Sequence, residues 1–196
     1  MDRSQPLPAR SLAECYLFLM VTPCPQCGEG GLAGDDARTS NDGLRLFADL
    51  AARCSECHRE TRLRFELPPA AIHSISSDRI SRDASPSRLI DVVQWVTLFR
   101  MITAAADRQI DKAESRRLGY EAAQCLDEAL KFYEQENDLP PDSAFFHERS
   151  RTACREHPDR YSRDRLINLR AKLPSVEAME RTLAKGNKPR RKWWPF

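Results

Sequence analysis

At 196 residues the chain is long enough for one domain of ordinary size or two small ones. Its 41% hydrophobic and 31% charged residues are ordinary for a soluble globular protein, and a formal net charge of only +2 excludes a generic, uniformly basic nucleic-acid binder. Scarce glycine (7) beside common proline (13) argues for helices separated by sharp breaks. The charge is uneven: the last twelve residues carry Lys185, Lys188, Arg190, Arg191 and Lys192 and no acid, so the rest of the chain stands at −3.

Residues 1–10 read as a polar, proline-containing lead with no reason to fold. Ser11-Leu12-Ala13-Glu14 is a capping box, which predicts a short helix from Leu12 to about Met20. A strand competes for the aromatic and aliphatic run, and Pro23 ends either. The apolar run from Cys15 to Val21 is seven residues, far short of the roughly 20 that cross a bilayer. Glu14 borders it, no small-residue cleavage site follows, and Pro23 spoils a lipoprotein-type site before Cys24, so the expected location is the cytoplasm.

Next comes Cys24-Pro25-Gln26-Cys27-Gly28, answered after a 26-residue spacer by Cys54-Ser55-Glu56-Cys57. Two residues between cysteines let one tight turn aim both sulfurs at one point, and two such turns complete a tetrahedral zinc site. Gly28 can take positive φ directly after the first pair. Disulfides or a redox Cys-x-x-Cys are the competing readings. Seven cysteines, an odd number, and the lack of an export signal favour a reducing compartment, where such pairs bind metal. His58 stands as an alternative ligand to Cys57. Four thiolates leave no open position, so the expected cofactor is a structural Zn2+.

Cys-Pro-x-Cys-Gly over Cys24–Gly28 resembles the zinc-knuckle pattern of zinc-ribbon proteins; the second half departs from it, with His58 where that pattern has glycine. The resemblance implies that Cys24, Cys27, Cys54 and Cys57 are the metal ligands.

Between the knuckles, residues 29–43 are rich in glycine, aspartate, serine and asparagine and predict an exposed loop. Leu44 to Arg53 reads as a strand delivering the second pair. Thr61 to Leu67 alternates without error and predicts a strand with Leu63, Phe65 and Leu67 on its buried face, stopped by Pro68-Pro69. So small a ribbon is expected to lack a core of its own. Metal binding of about 10–16 kcal/mol is as large as a typical domain's whole margin of about 5–15 kcal/mol. The serine-rich stretch 70–87 reads as a linker.

Beyond it the hydrophobic period changes from 2 to 3.6. Asp91 caps a predicted helix over Val92–Ala106, with Val92, Trp95, Val96, Phe99 and Ile102 or Met101 on one stripe. Asp111-Lys112-Ala113-Glu114 opens a second, to about Glu134, burying Leu118, Ala122, Cys125, Leu126, Ala129, Leu130 and Tyr133. Asp142 or Ser143 opens a third, carrying Phe145, Phe146 and Cys154 and ending near His157-Pro158. Ser162 caps a fourth, with Leu166, Ile167, Leu169 and Leu173. Pro174-Ser175 starts a last short one to about Lys185, stopped by Gly186. The fold class is thus α+β. A four-cysteine zinc ribbon with short β-hairpins and one short helix spans 11–69, and an all-α bundle of about four or five helices spans 88–185. A basic-aromatic tail over 186–196 follows.

As a whole the chain looks like uncharacterised bacterial proteins that join a zinc knuckle to a helical domain. The residues that carry this are Pro86-Ser87-Arg88-Leu89-Ile90-Asp91, Trp95 and Ser143-Ala144-Phe145-Phe146, and the resemblance covers 11–173. It implies a fold and no activity.

Other chemistry-bearing residues read as structural. Cys15, Cys125 and Cys154 fall on apolar faces and behave as small hydrophobes. His147 and His157 lie ten apart on a charged face with no nucleophile elbow. The arginine-rich run from Arg149 to Arg170 is interleaved with acids, as on a solvated, ion-paired face or against an acidic partner. The tail is more pointed: Arg190, Arg191, Lys192, Trp193, Trp194 and Phe196 place three aromatics beside three cations. It suits a protein groove, a nucleic acid, a weak and reversible membrane-surface contact, or docking on the bundle. The leading expectation is a non-catalytic, zinc-stabilised interaction or adaptor protein with a protein partner. A nucleic-acid-associated zinc-ribbon factor comes second, and an enzyme with a site at the ribbon–bundle junction comes last.

Overall fold

A computed structural model describes residues 5–69, 79–81, 83–134 and 137–175. The chain divides into two compact units. Among the described residues the first holds 5–69, 79–81, 83 and Ser87–Leu89, and the second holds Ala84–Pro86 and the residues from Ile90 onward. Strands and helices are mixed: one five-stranded sheet and five α-helices are described. No described helix is long and apolar enough to cross a membrane.

The first unit begins with β1 (Leu7–Pro8) and α1 (Leu12–Val21). The helix wins over the competing strand because its end is capped: Ser11 Oγ accepts from the Glu14 N–H at 3.1 Å. The reciprocal half of the box goes elsewhere. Glu14, fully buried, accepts from the Arg10 backbone N–H at 2.6 Å and pairs with the Arg10 guanidinium at 2.6 and 3.0 Å. The lead is therefore not structureless. β1 pairs in parallel with the last strand of the unit, Leu7 against Phe65, and the Ala9 N–H extends the ladder to the Glu66 carbonyl at 2.9 Å. A two-residue strand is too short to show alternation, and its partner lies far away in sequence.

The remaining strands are β2 (Leu32–Gly34), β3 (Arg38–Asn41), β4 (Leu46–Cys54) and β5 (Glu60–Leu67), in the sheet order β1-β5-β4-β2 with β3 also on β4. The expected loop over 29–43 is corrected here. β2 and β3 follow one another along the same edge of β4, β2 against residues 52–54 and β3 against 46–49. β3, all polar and exposed, is held by backbone pairing alone and so leaves no hydrophobic pattern. Tyr16 marks the break between them: its hydroxyl donates to the Asp35 carbonyl and accepts the Ala37 N–H, both at 3.0 Å. An aspartate turn closes the β3–β4 hairpin, with Asp42 Oδ1 accepting the N–H groups of Leu44 and Arg45 at 3.0 and 2.7 Å. Those N–H groups, Arg45 first, also hold the Asp42 carboxyl below its ordinary range.

β4 and β5 pair along their whole length, Leu46 against Leu67 through Arg53 against Glu60. The face carrying Ala48, Leu50, Leu63 and Phe65 takes the helix, where Phe18 meets Phe65 edge-on at 6.0 Å. Phe65 and Leu67 are buried as expected and Leu63 half-buried. The opposite face is polar apart from Ala51 and Phe47, the latter lying under the guanidiniums of Arg64 and Arg45 at 4.4 and 5.3 Å. The first unit thus has more core than expected: Phe18, Leu19, Leu50, Phe65 and Leu67 are all at most 4% exposed. The serine-rich stretch also departs from a plain linker where it is described. Ile80 and Ser87 are buried, and Ser11 Oγ donates to the Ile80 carbonyl. Residues 70–78 and 82 lie outside the described set.

The second unit is helical. α2 (Val92–Asp107) and α3 (Lys112–Leu130) pack together, α3 also meets α5 (Arg163–Arg170), and α2 also meets α4 (Glu148–Glu156). The expected stripe on α2 is buried, with Ile102 inward and Met101 41% exposed. On α3, Leu118, Ala122, Cys125, Leu126 and Ala129 are buried and Leu130 is half-buried; Tyr133, beyond its end, is half-buried too. This helix stops four residues before the expected Glu134. Asp111 caps it through the Ala113 N–H at 2.8 Å. The expected third helix is interrupted. A 3-10 turn, Asp142–Ala144, gives way to extended backbone at Phe145, and α4 starts only at Glu148. The reason is Asp91. One carboxylate oxygen caps α2 through the Gln94 N–H at 2.9 Å, and the other accepts the Phe146 N–H at 3.3 Å, drawing that segment out of helix. Ser162 caps α5 as expected. The predicted last helix falls on residues from 176 onward, outside the described set; Pro174 and Ser175 are not helical.

Candidate metal centre

Each cysteine pair sits on a turn that the strands bring into place. The first follows α1 and leads into β2; the second lies between β4, whose last residue is Cys54, and β5. β2 pairs Leu32 with Cys54, so sheet register sets the two turns side by side.

The turns are built alike. In the first, the Gln26 N–H points at Cys24 Sγ (3.4 Å), the Gly28 N–H reaches the Cys24 carbonyl (2.8 Å), and the Cys24 N–H reaches the Glu29 carbonyl (3.2 Å). In the second, the Glu56 N–H points at Cys54 Sγ (3.4 Å), the His58 N–H reaches the Cys54 carbonyl (3.2 Å), and the Cys54 N–H reaches the Arg59 carbonyl (3.1 Å). His58 breaks the sequence symmetry but not the backbone symmetry: its φ of 57° lies in the left-handed region, beside 73° at Gly28. A non-glycine residue there is strained.

The four thiols converge. One ligand atom each from Cys24, Cys27, Cys54 and Cys57 can be drawn within 4.8 Å of all the others, and this set could hold a metal ion. Two contacts cross from turn to turn: Cys24 Sγ to Cys57 Sγ and Cys27 Sγ to Cys54 Sγ, both 3.7 Å. A disulfide would stand at about 2.05 Å, and all seven cysteines are free. Cys24 and Cys54 are buried, Cys57 is half-buried and Cys27 is exposed.

The electrostatics are unequal. The backbone N–H groups of Cys27 and Gln26 draw the Cys24 thiol down to about 6. Cys27 is pushed up to about 12: backbone hydrogen bonding at Glu29 works against the shift, but burial and the neighbouring sulfurs of Cys57, Cys54 and Cys24 outweigh it. The Cys24 thiolate is favoured, whereas one at Cys27 is opposed unless positive charge joins the cluster.

Sequence reasoning missed one contributor. Gly30 was one of several loop glycines; at φ 67° it presses the first turn onto the second so closely that a Cβ would stand 2.8 Å from Glu56 Cγ and Ser55 Oγ and 3.2 Å from Cys54 Sγ. The adjacent glycines in Gly30-Gly31 were the available signal. The other thiols behave as core. Burial raises Cys15, Cys125 and Cys154 above the ordinary thiol value. His147 is half-buried and His157 exposed. The tail residues Arg190, Arg191, Lys192, Trp193, Trp194 and Phe196 lie outside the described residues.

No protein-family model, no curated protein and no solved structure matches this chain.

Proposed function

We propose that Cys24, Cys27, Cys54 and Cys57 hold one structural Zn2+ in a zinc ribbon, and that the chain is a non-catalytic interaction protein that this ribbon stabilises. The observation that supports the reading is the sulfur geometry. A tetrahedron with zinc–sulfur bonds of about 2.3 Å has edges of about 3.8 Å, and the two cross-turn contacts are 3.7 Å. All four donors are thiols, the set of closed structural sites, which leaves no position for a substrate. The bound ion would supply the positive charge that lets four thiolates coexist and would tie one turn to the other. The turns themselves orient the sulfurs through the Gln26 and Glu56 N–H groups.

The test is metal content per chain on protein purified without added metal, alongside capture of partners with full-length protein and with residues 185–196 removed. One zinc per chain and tail-dependent recovery of a discrete protein support the proposal. Metal-free protein that is fully folded removes the zinc reading, and turnover of a substrate removes the non-catalytic one.

A nucleic-acid role is the second reading, favoured by the sheet face opposite α1. Register sets Arg38, Asp49 and Arg64 in one row, with Arg62 and Arg53 on the same face. Asp49, Glu60 and Glu66 offset them, which ranks this reading lower. Binding that falls steeply with salt and persists without residues 185–196 would assign it to the sheet.

A further inference from the structure

We infer that the four-cysteine centre is also a modification site for hydroperoxides, whose oxidation product is a pair of disulfides joining one turn to the other, Cys27 to Cys54 and Cys24 to Cys57. The inference rests on the zinc reading for the thiolate form of Cys27 and for what is released; the sulfur geometry stands without it.

Two observations carry it. First, in each 3.7 Å contact the partners belong to different turns. Second, each contact joins a more exposed cysteine to a buried one. Cys27 is exposed and faces Cys54, which is 1% exposed; Cys57 is half-buried and faces Cys24, at 2%. An oxidant therefore meets one member of each pair while the other waits behind it, the arrangement by which a first oxidation is resolved before it goes further. The remaining thiols, Cys15, Cys125 and Cys154, are buried.

The chemistry balances. With positive charge in the cluster holding Cys27 as a thiolate, its sulfur attacks one peroxide oxygen; an S–O bond forms, the O–O bond breaks, and the leaving oxygen takes a proton, giving a sulfenic acid. The Cys54 thiolate then attacks the Cys27 sulfur; an S–S bond forms, the S–O bond breaks, and the departing hydroxide takes a proton to become water. Two electrons from the two sulfurs reduce one peroxide. A second peroxide does the same at Cys57 and Cys24. With all four thiolates consumed, no ligand remains for a cation. The two new bonds close separations of 33 and 27 residues between the same two turns the cation joined, so the oxidised ribbon stays tied.

The experiment uses the full, reduced chain. Its metal content is measured first, hydrogen peroxide is then added stepwise, released metal is followed with a chromogenic chelator, and disulfides are mapped by mass spectrometry after alkylation. The expected result is loss of all metal at two peroxides per chain, cross-turn peptides Cys27–Cys54 and Cys24–Cys57, and alkylated Cys15, Cys125 and Cys154. Disulfides within a turn, Cys24–Cys27 or Cys54–Cys57, would overturn the inference. So would sulfinic acid without disulfide, or a cluster left reduced by excess peroxide. Reduced protein that contains no metal sinks the zinc reading instead, and the disulfide map then still decides the pairing.

Discussion

In the first unit one helix covers one face of a sheet, and the chain between strands must be brought back by turns whose sulfurs meet at a point. In the second, helices enclose Trp95, Leu98, Leu126 and Leu166, none more than trivially exposed, and side-chain caps from Asp91, Asp111 and Ser162 open three of them. Both bury aromatic and aliphatic groups. They differ in what fixes the irregular segments. The second uses carboxylates and hydroxyls, Asp91 above all. The first uses carboxylates and hydroxyls too, Asp42 and Tyr16 among them, and adds four clustered thiols that could hold a metal ion. On the zinc reading, the second unit is complete when the chain folds and the first only when the ion binds.

The sharpest break of that comparison is metal removal. A chelator is expected to collapse the amide dispersion of the first unit while α2 and α3 keep theirs, since structural zinc contributes about 10 kcal/mol or more at neutral pH. Signals near residues 24–57 that stay dispersed without metal would show that the helix-on-sheet core suffices. Acidification should act in the same direction. Protons compete for thiolates, so affinity falls as pH falls and metal release rises from pH 7 toward 5, read by a chromogenic chelator. Leu126→Ala attacks the other side: about 3 kcal/mol of second-unit stability is lost in denaturant unfolding, with metal content unchanged.

Glu14→Ala is expected to cost the first unit about 3 kcal/mol, because the Arg10 guanidinium loses its buried partner. Chemical denaturation of the metal-loaded protein measures it. Smallest is His58→Gly, which relieves a left-handed φ and should raise first-unit stability by about 1 kcal/mol, seen as a higher first-unit melting temperature. A lower one would mean that the imidazole does something the backbone does not reveal.

The meeting of the four cysteines was legible because Cys-x-x-Cys spacing is a geometric instruction and sheet register only has to honour it. Helix starts were legible for the same local reason: Ser11, Asp91, Asp111 and Ser162 each cap where their sequence says. What was not legible depends on distant partners. β3 carries no apolar residue, and its strand character comes from β4. The helix expected through Phe145 fails because a carboxylate 55 positions earlier takes the Phe146 N–H. Gly30 looked like any loop glycine until a second turn stood against it.

The parallel pairing of Leu7 with Phe65 has a kinetic meaning. No local turn can bring these residues together, and the ladder position they share does not exist until β4 and β5 have zipped. The earliest described strand is therefore expected to be among the last pieces of its unit to arrive. With only two residues in register it is also the first to leave, so its amides, with that of Ala9, should exchange with solvent sooner than those along the β4–β5 seam.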